Sequence, residues 1–138
     1  DKYGISPGLL EIEITESIRN APEIDLKELI GKLRQAGFTV ALDDFGTEYV
    51  NLSLLSSVEF DVLKLDKTMV DDMVNNPKAQ AIIESIAGIC KKMGIRVVAE
   101  GIETEEQMSV LRTCGVETAQ GYLFSRPIPV EEYEEKYL

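Results

Sequence analysis

The residues able to do chemistry in this 138-residue chain stand at the ends of five short apolar segments. LLEIEITE (9–16) carries Glu13 and Glu16, FTVALDD (38–44) ends in Asp43 and Asp44, and DVLKLD (61–66) holds Lys64. IRVVAE (95–100) closes on Glu100 with Glu103 three residues further on, and VETAQGY (116–122) contains Gln120. The set is rich in oxygen, has one cation, and includes no histidine. Carboxylates gathered at one place must either take up protons or be neutralised by cations. Oxygen-only donors suit hard ions such as Mg²⁺, Mn²⁺ or Ca²⁺, not Zn²⁺, which favours His and Cys. Such a centre fits metal-assisted attack of water on a phosphodiester. Lys64 would add positive charge for the attacking water or the transition state.

A plainer explanation exists for each acid alone. Asp and Glu at strand ends cap the helices that follow, because the helix N-terminus favours negative charge. Five such ends in succession are better explained by a shared site.

The elements that must position these residues alternate strand and helix. The strands are rich in Val, Ile and Leu, as buried parallel strands are, and the intervening stretches are long enough for parallel crossovers. Asp25 with Glu28 predicts a capping box, followed by a stripe of Leu26, Leu29, Ile30 and Leu33, with Gly37 closing the helix. Asn76-Pro77 opens a longer helix whose stripe reads Ala79, Ile82, Ile83, Ile86, Ile89, Cys90 and Met93, stopped by Gly94. Thr104 with Gln107 marks a second capping box, with Met108 and Leu111 turned inward before Gly115. The tail, PIPVEEYEEKYL, predicts a short, solvated acidic helix. One side of each helix is apolar, as expected of a layer covering a sheet, so the fold class is α/β. In such folds chemistry sits at the C-terminal ends of the strands.

Length allows a single core and one domain. A complete (β/α)₈ barrel takes about 250 residues, so five units make a partial TIM-like barrel. The chain lacks an initiator methionine and enters a strand almost at once; the expectation is a piece of a longer polypeptide. A net charge of −11 and a pI near 4.4 argue against binding DNA or RNA polymers, which requires a basic stripe. Cys90 and Cys114 lack CxxC spacing and read as reduced thiols of a cytoplasmic domain. No apolar run approaches the roughly 20 residues that span a bilayer. A half-barrel would leave strand edges unpaired, predicting self-association or strand exchange between copies.

Three strings narrow the reading: Glu13-Ile14-Thr15-Glu16, Asp43-Asp44-Phe45-Gly46-Thr47, and Ala99-Glu100-Gly101-Ile102-Glu103-Thr104. With Lys64 in LKLD and Gln120 in QGYLFSRPIP, they resemble the EAL-domain family, bacterial phosphodiesterases that linearise cyclic di-GMP. The likeness runs from about Pro7 to Tyr133, over the last five strand–helix units of that domain. It implies a TIM-like barrel, two Mg²⁺ or Mn²⁺ ions, and the linear product pGpG. By this resemblance Glu13, Asp43, Asp44 and Glu100 are metal ligands, with Asp43 suited to bridging two ions. Lys64 stands near the catalytic water and Glu100 doubles as a general base. Glu103 and Gln120 surround the centre, and Glu16 holds the loop after the paired aspartates.

The sequence also departs from that family. The tripeptide Glu-Ala-Leu, the substrate arginine after it and a ligand asparagine lie upstream of anything present here. The family loop DDFGTGYSSL becomes DDFGTEYVNL, with Glu48, Val50 and Asn51 in place of a glycine and two serines. A degenerate domain that binds cyclic di-GMP or a protein partner without cleavage is the alternative reading. A Schiff-base lysine at position 64 is a third, disfavoured because acids such as Asp43, Asp44 and Asp66 should raise its pKa. By this reading the 138-residue chain alone should release no pGpG from cyclic di-GMP in Mg²⁺ or Mn²⁺, as chromatography of the products would show.

Overall fold

The computed structural model describes residues 2–15, 25–47 and 52–138. Glu16 and the loop positions Glu48, Val50 and Asn51 lie outside them. A 3₁₀ turn, Pro7–Leu9, leads into β1 (Glu11–Thr15), followed by α1 (Leu26–Gln35) and β2 (Thr39–Phe45). Next come α2 (Leu52–Ser57), β3 (Val62–Leu65), α3 (Lys67–Asp71), and α4 (Pro77–Met93) after a second 3₁₀ turn, Met73–Asn75. The chain closes with β4 (Arg96–Ala99), α5 (Glu105–Thr113), β5 (Thr118–Ala119) and α6 (Val130–Tyr137). The five strands form one parallel sheet in sequential order, as a TIM-like barrel requires.

The two faces of the sheet are chemically distinct because side chains alternate along a strand. One face presents Ile14, Val40, Leu42, Leu63, Leu65 and Ala99 to the helices, where they join Ile30, Ile83, Ile86, Cys90, Met108 and Leu111 in a single core. The other face carries Glu11, Glu13, Lys64 and Arg96. Arg96 on β4 reaches Glu11 on β1 at 3.0 Å. In a flat sheet three strand spacings would separate them by about 14 Å. The sheet is therefore curled, with these charged residues on its concave side.

Local signals account for most helix ends. Asp25 caps α1 by accepting from the Glu28 amide at 3.1 Å, but Glu28 turns its carboxylate to Lys32 at 2.6 Å. Only half of the expected box is thus present. Asn76 accepts from the amides of Lys78 and Ala79 ahead of Pro77, and Thr104 with Gln107 forms a full reciprocal box. The acidic tail helix α6 buries no residue, as anticipated.

Strands are shorter than the apolar segments. Leu9 and Leu10 fall outside β1, and the 116–122 segment contributes only Thr118–Ala119 to the ladder. Beyond them the chain stays against the β4 side, with the Gln120 amide donating to the Ala99 carbonyl at 2.8 Å and Gly121 so close to Ile102 that an added Cβ would lie 2.2 Å from its carbonyl oxygen.

The α4 stripe requires correction. Ile83, Ile86 and Cys90 are buried with Ala87, whereas Ile82, Ile89 and Met93 are exposed at 51%, 36% and 45%. The seven stripe residues of this 17-residue helix cover more than one side of it, and a single sheet can bury only one. Both cysteines are free and buried, and burial pushes the Cys90 thiol up to about 11. Among the described residues no helix is long and apolar enough to cross a membrane.

This geometry separates two neighbouring isoleucines. Ile83→Ala should destabilise the fold by about 3 kcal/mol through lost burial and a residual cavity. Ile82→Ala should change stability by less than about 0.5 kcal/mol. Urea unfolding of the two variants would show the difference; equal losses would mean that α4 is rotated relative to this description.

Candidate metal and phosphodiester site

Consecutive residues in a regular strand point to opposite faces, so paired aspartates cannot ordinarily serve one site. Here the register breaks at that pair. Leu42 lies opposite Leu63 and Phe45 opposite Leu65, which leaves Asp43 and Asp44 facing the single residue Lys64. This is a β-bulge, a device that re-aims side chains. Asp44 occupies the left-handed region with φ 57°, alone among described non-glycine residues. The backbone accepts this conformation more readily for Asp than for most residues. The outcome is that carboxylate oxygens of Asp43, Asp44 and Glu100 all lie within 4.8 Å of one another.

Lys64 is the hub of the surrounding charge. It is only 5% exposed, and its Nζ lies 2.5 Å from Glu13, 2.8 Å from Glu100 and 3.1 Å from Asp43. Burial by itself would pull this ammonium down, but the carboxylates of Glu100, Glu13 and Asp43 outweigh it and hold the pKa raised. The direction matches the sequence expectation, although its agents differ. Asp66 does not serve Lys64; it caps α3, accepting from the Thr68 amide at 2.8 Å and the Thr68 hydroxyl at 2.6 Å. An ammonium held charged in this way is a poor Schiff-base nucleophile.

Glu100 follows β4, where its amide donates to the Leu65 carbonyl at 3.0 Å. Its Oε1 accepts from Gln120 Nε2 at 2.5 Å as well as facing Lys64. Burial raises its pKa first, Lys64 works against that, and Asp43 and Glu13 add to the rise. Glu103 does not join the converging oxygens. It is exposed and pairs with Lys67 at 3.0 Å, while its amide donates to Gln107. Glu16 falls outside the described residues.

One atom stands out. Asp43 Oδ1 is buried and has the Lys64 ammonium as its ion-pair partner at 3.1 Å, without a well-formed hydrogen bond. One ammonium does not balance the charge of the acids gathered here, and an all-oxygen cluster of this kind fits a hard divalent cation.

Beside Glu100 and Gln120 opens a cavity of about 640 Å³, reaching Lys67, Tyr122 and Arg126. The Arg126 guanidinium stacks over the Tyr122 ring, 4.3 Å from its centroid. Sequence reasoning did not single out these three residues. For Tyr122 and Arg126 the signal was the aromatic and basic content of QGYLFSRPIP, whose relation to the acids depends on the loop after β5; Lys67 directly follows DVLKLD.

Comparison with known proteins agrees with this geometry. Residues 1–127 match the family model described as EAL domain. The chain belongs to the EAL-domain family. Cyclic di-GMP phosphodiesterase RocR of Pseudomonas aeruginosa is 38% identical over 133 residues, covering 96% of this chain and 34% of RocR. Oxygen sensor protein DosP of Escherichia coli is 39% identical over 130 residues, covering 94% of this chain and 16% of DosP. Among solved structures, the EAL domain of Mycobacterium smegmatis DcpA superposes with a TM-score of 0.87 at 36% identity, over 97% of this chain and 60% of that one. Klebsiella pneumoniae BlrP1, in a complex with calcium and cyclic di-GMP, gives 0.85 at 39% identity over 91% of this chain and 32% of that one. BlrP1 is also known in manganese complexes with the same nucleotide. The EAL chain described here spans 16–34% of the lengths of the curated relatives that it matches.

Crowded like charges in the absence of cations predict a trade-off at Asp44. Asp44→Asn keeps a residue suited to the left-handed backbone and removes one negative charge. In EDTA the variant should be more stable by about 1 kcal/mol, as charge relief at functional sites commonly gives. It should gain less than the parent when Mn²⁺ is added. Thermal melts in both conditions would test this, and a destabilised variant in EDTA would show that Asp44 is held by contacts rather than strained by repulsion.

Proposed function

We propose that this EAL chain supplies the metal-binding and catalytic acids of a cyclic di-GMP phosphodiesterase, with pGpG as product. The observation that carries the reading is the convergence of Asp43, Asp44 and Glu100, whose carboxylate oxygens lie within 4.8 Å of one another. Asp43, Asp44, Glu100 and Glu13 would hold two Mg²⁺ or Mn²⁺ ions, with Asp43 shared between them. Such ions screen the phosphodiester oxygens and acidify water at neutral pH.

The remaining work falls to the side chains. Lys64 keeps the acids together and places positive charge beside the attacking water. Glu100, whose carboxyl is raised by burial, accepts the proton that this water gives up. Gln120 fixes the orientation of Glu100, Glu103 anchors the loop behind it, and Glu16 steadies the loop after Asp44. The Tyr122 ring offers a stacking surface for a guanine, and Arg126 offers a cation for the nucleotide. A cytoplasmic location is part of this proposal. Self-association through the outer edges of β1 and β5, which pair only inward among the described residues, is part of the same proposal.

The test uses the gene product that carries this chain. Release of pGpG should require Mg²⁺ or Mn²⁺ and stop on chelation. Asp43→Asn keeps the shape and removes the charge, so metal affinity and turnover should fall together, by about a hundredfold. Wild-type Mn²⁺ binding in Asp43→Asn would reduce the acids to helix caps. Tight cyclic di-GMP binding with no hydrolysis would identify a receptor instead.

A further inference from the structure

Of the three converging carboxylates, Asp43 and Asp44 stand near the end of β2 and Glu100 just past β4, and Lys64 of the intervening β3 pairs with Asp43 and Glu100. The short helix α3, directly after β3, stands between the loops that follow β2 and β4. Each loop meets α3 through a glycine. A Cβ at Gly46, two residues past Asp44, would lie 2.1 Å from Met69 Sδ. A Cβ at Gly101, next to Glu100, would lie 2.6–2.7 Å from the Lys67 stem at its Cβ, Cγ and Cδ. Both glycines also have positive φ, 106° and 69°. The backbone after Asp44 and that after Glu100 thus each approach an α3 side chain closely, at positive-φ positions that favour glycine.

Lys67 adds a second hold. Its Nζ binds Glu103 at 3.0 Å, beyond Glu100 in the same loop, and Asp71 at 2.8 Å within α3. The loop is thereby gripped at Gly101 by the lysine stem and at Glu103 by the ammonium. On its far side the same loop rests on Gly121, with Ile102 donating to the Gln120 carbonyl at 3.1 Å. Both Lys67 and Glu103 are about half exposed, so the ion pair contributes little to global stability. Its consequence is local.

We infer that Lys67 is a positioning residue: with Met69 it makes α3 a second brace, beside Lys64, on the distance between Glu100 and the Asp43–Asp44 pair, and hence on the affinity of the site for a divalent cation. This rests on the metal-binding reading of the three acids. Partners in the outer shell of ligating carboxylates are worth at least about tenfold in metal affinity.

The experiment compares Lys67→Met, Lys67→Arg and Met69→Ala with the parent gene product. Lys67→Met keeps the stem against Gly101 and loses only the ammonium. It should weaken Mn²⁺ binding about tenfold, measured by titration in the absence of nucleotide, and raise the Mn²⁺ requirement of turnover equally. The KM for cyclic di-GMP and the thermal midpoint should stay at parent values, and Lys67→Arg should restore Mn²⁺ affinity. Hydrogen exchange at the amides of residues 101–104 should quicken in Lys67→Met and return to normal in Lys67→Arg. Met69→Ala should weaken Mn²⁺ binding in the same direction while quickening exchange around Gly46. Unchanged Mn²⁺ affinity and unchanged exchange in Lys67→Met would overturn the inference, as would a raised nucleotide KM alone, which would make Lys67 a substrate contact. If the parent neither binds Mn²⁺ nor hydrolyses the nucleotide, the proposed function fails, and the exchange rates at 101–104 still decide whether Lys67 positions the loop.

Discussion

A buried ammonium among carboxylates governs the organisation of this site. Lys64 is almost fully withdrawn from water, and it meets Glu13, Asp43 and Glu100 within 3.1 Å. Removing a charge from water costs several kcal/mol even after relaxation, and only well-placed opposite charge offsets it. The three acids face the converse difficulty, since without a cation they repel one another. Cation and acids therefore stabilise each other's burial. Four strands are joined by this arrangement, because Glu13 lies on β1, Asp43 on β2, Lys64 on β3, and Glu100 just past β4.

The same constraint shapes the sheet. The charged residues lie on one face, with Ala41 and Val62 buried among them, and the other face is aliphatic and takes the helices and the core. The polar face is left to pair with itself, which is feasible only if the sheet curls. Arg96 and Glu11 meet across two intervening strands, and Lys64 reaches Glu13 across one. At the opposite end of the strands Arg34 on α1 binds Glu59 and Asp61, tying the first helix to the start of β3. Asp61 also accepts from the Val40 amide at 2.9 Å, so this latch fixes the β2–β3 alignment on which the bulge depends.

Stability and function pull apart where the acids converge. Asp44 sits in a backbone region that most residues avoid, and Asp43 is held within 4.8 Å of two further carboxylates. Each is a cost that a purely structural strand end would shed. The helix ends show the contrast. Asn76, Thr104 and Asp66 place their oxygens on backbone amides and satisfy them. Capping thus explains some polar residues near strand ends, but it does not explain Asp43, whose buried oxygen faces no amide.

Much of this was written in the chain as local pattern. Aliphatic runs, caps at Asn76 and Thr104, and terminating glycines give the alternation of strands and helices, because each depends on residues only a few positions apart. The acids at successive strand ends mark the site face for the same reason. Other features needed the tertiary structure. A helix stripe does not reveal which part of it the sheet will cover, so Ile82 and Ile83 looked alike although only Ile83 is buried. Neither does a list of acids show which will face a lysine: Asp66 is nearest in sequence, yet it caps a helix, while Glu13 arrives from a strand 51 residues away. Adjacent aspartates should point to opposite faces of a strand. Only the register slip between Leu42 and Phe45, set by pairing with β3, turns both towards one site, because a bulge is a property of two strands together and neither sequence contains it alone.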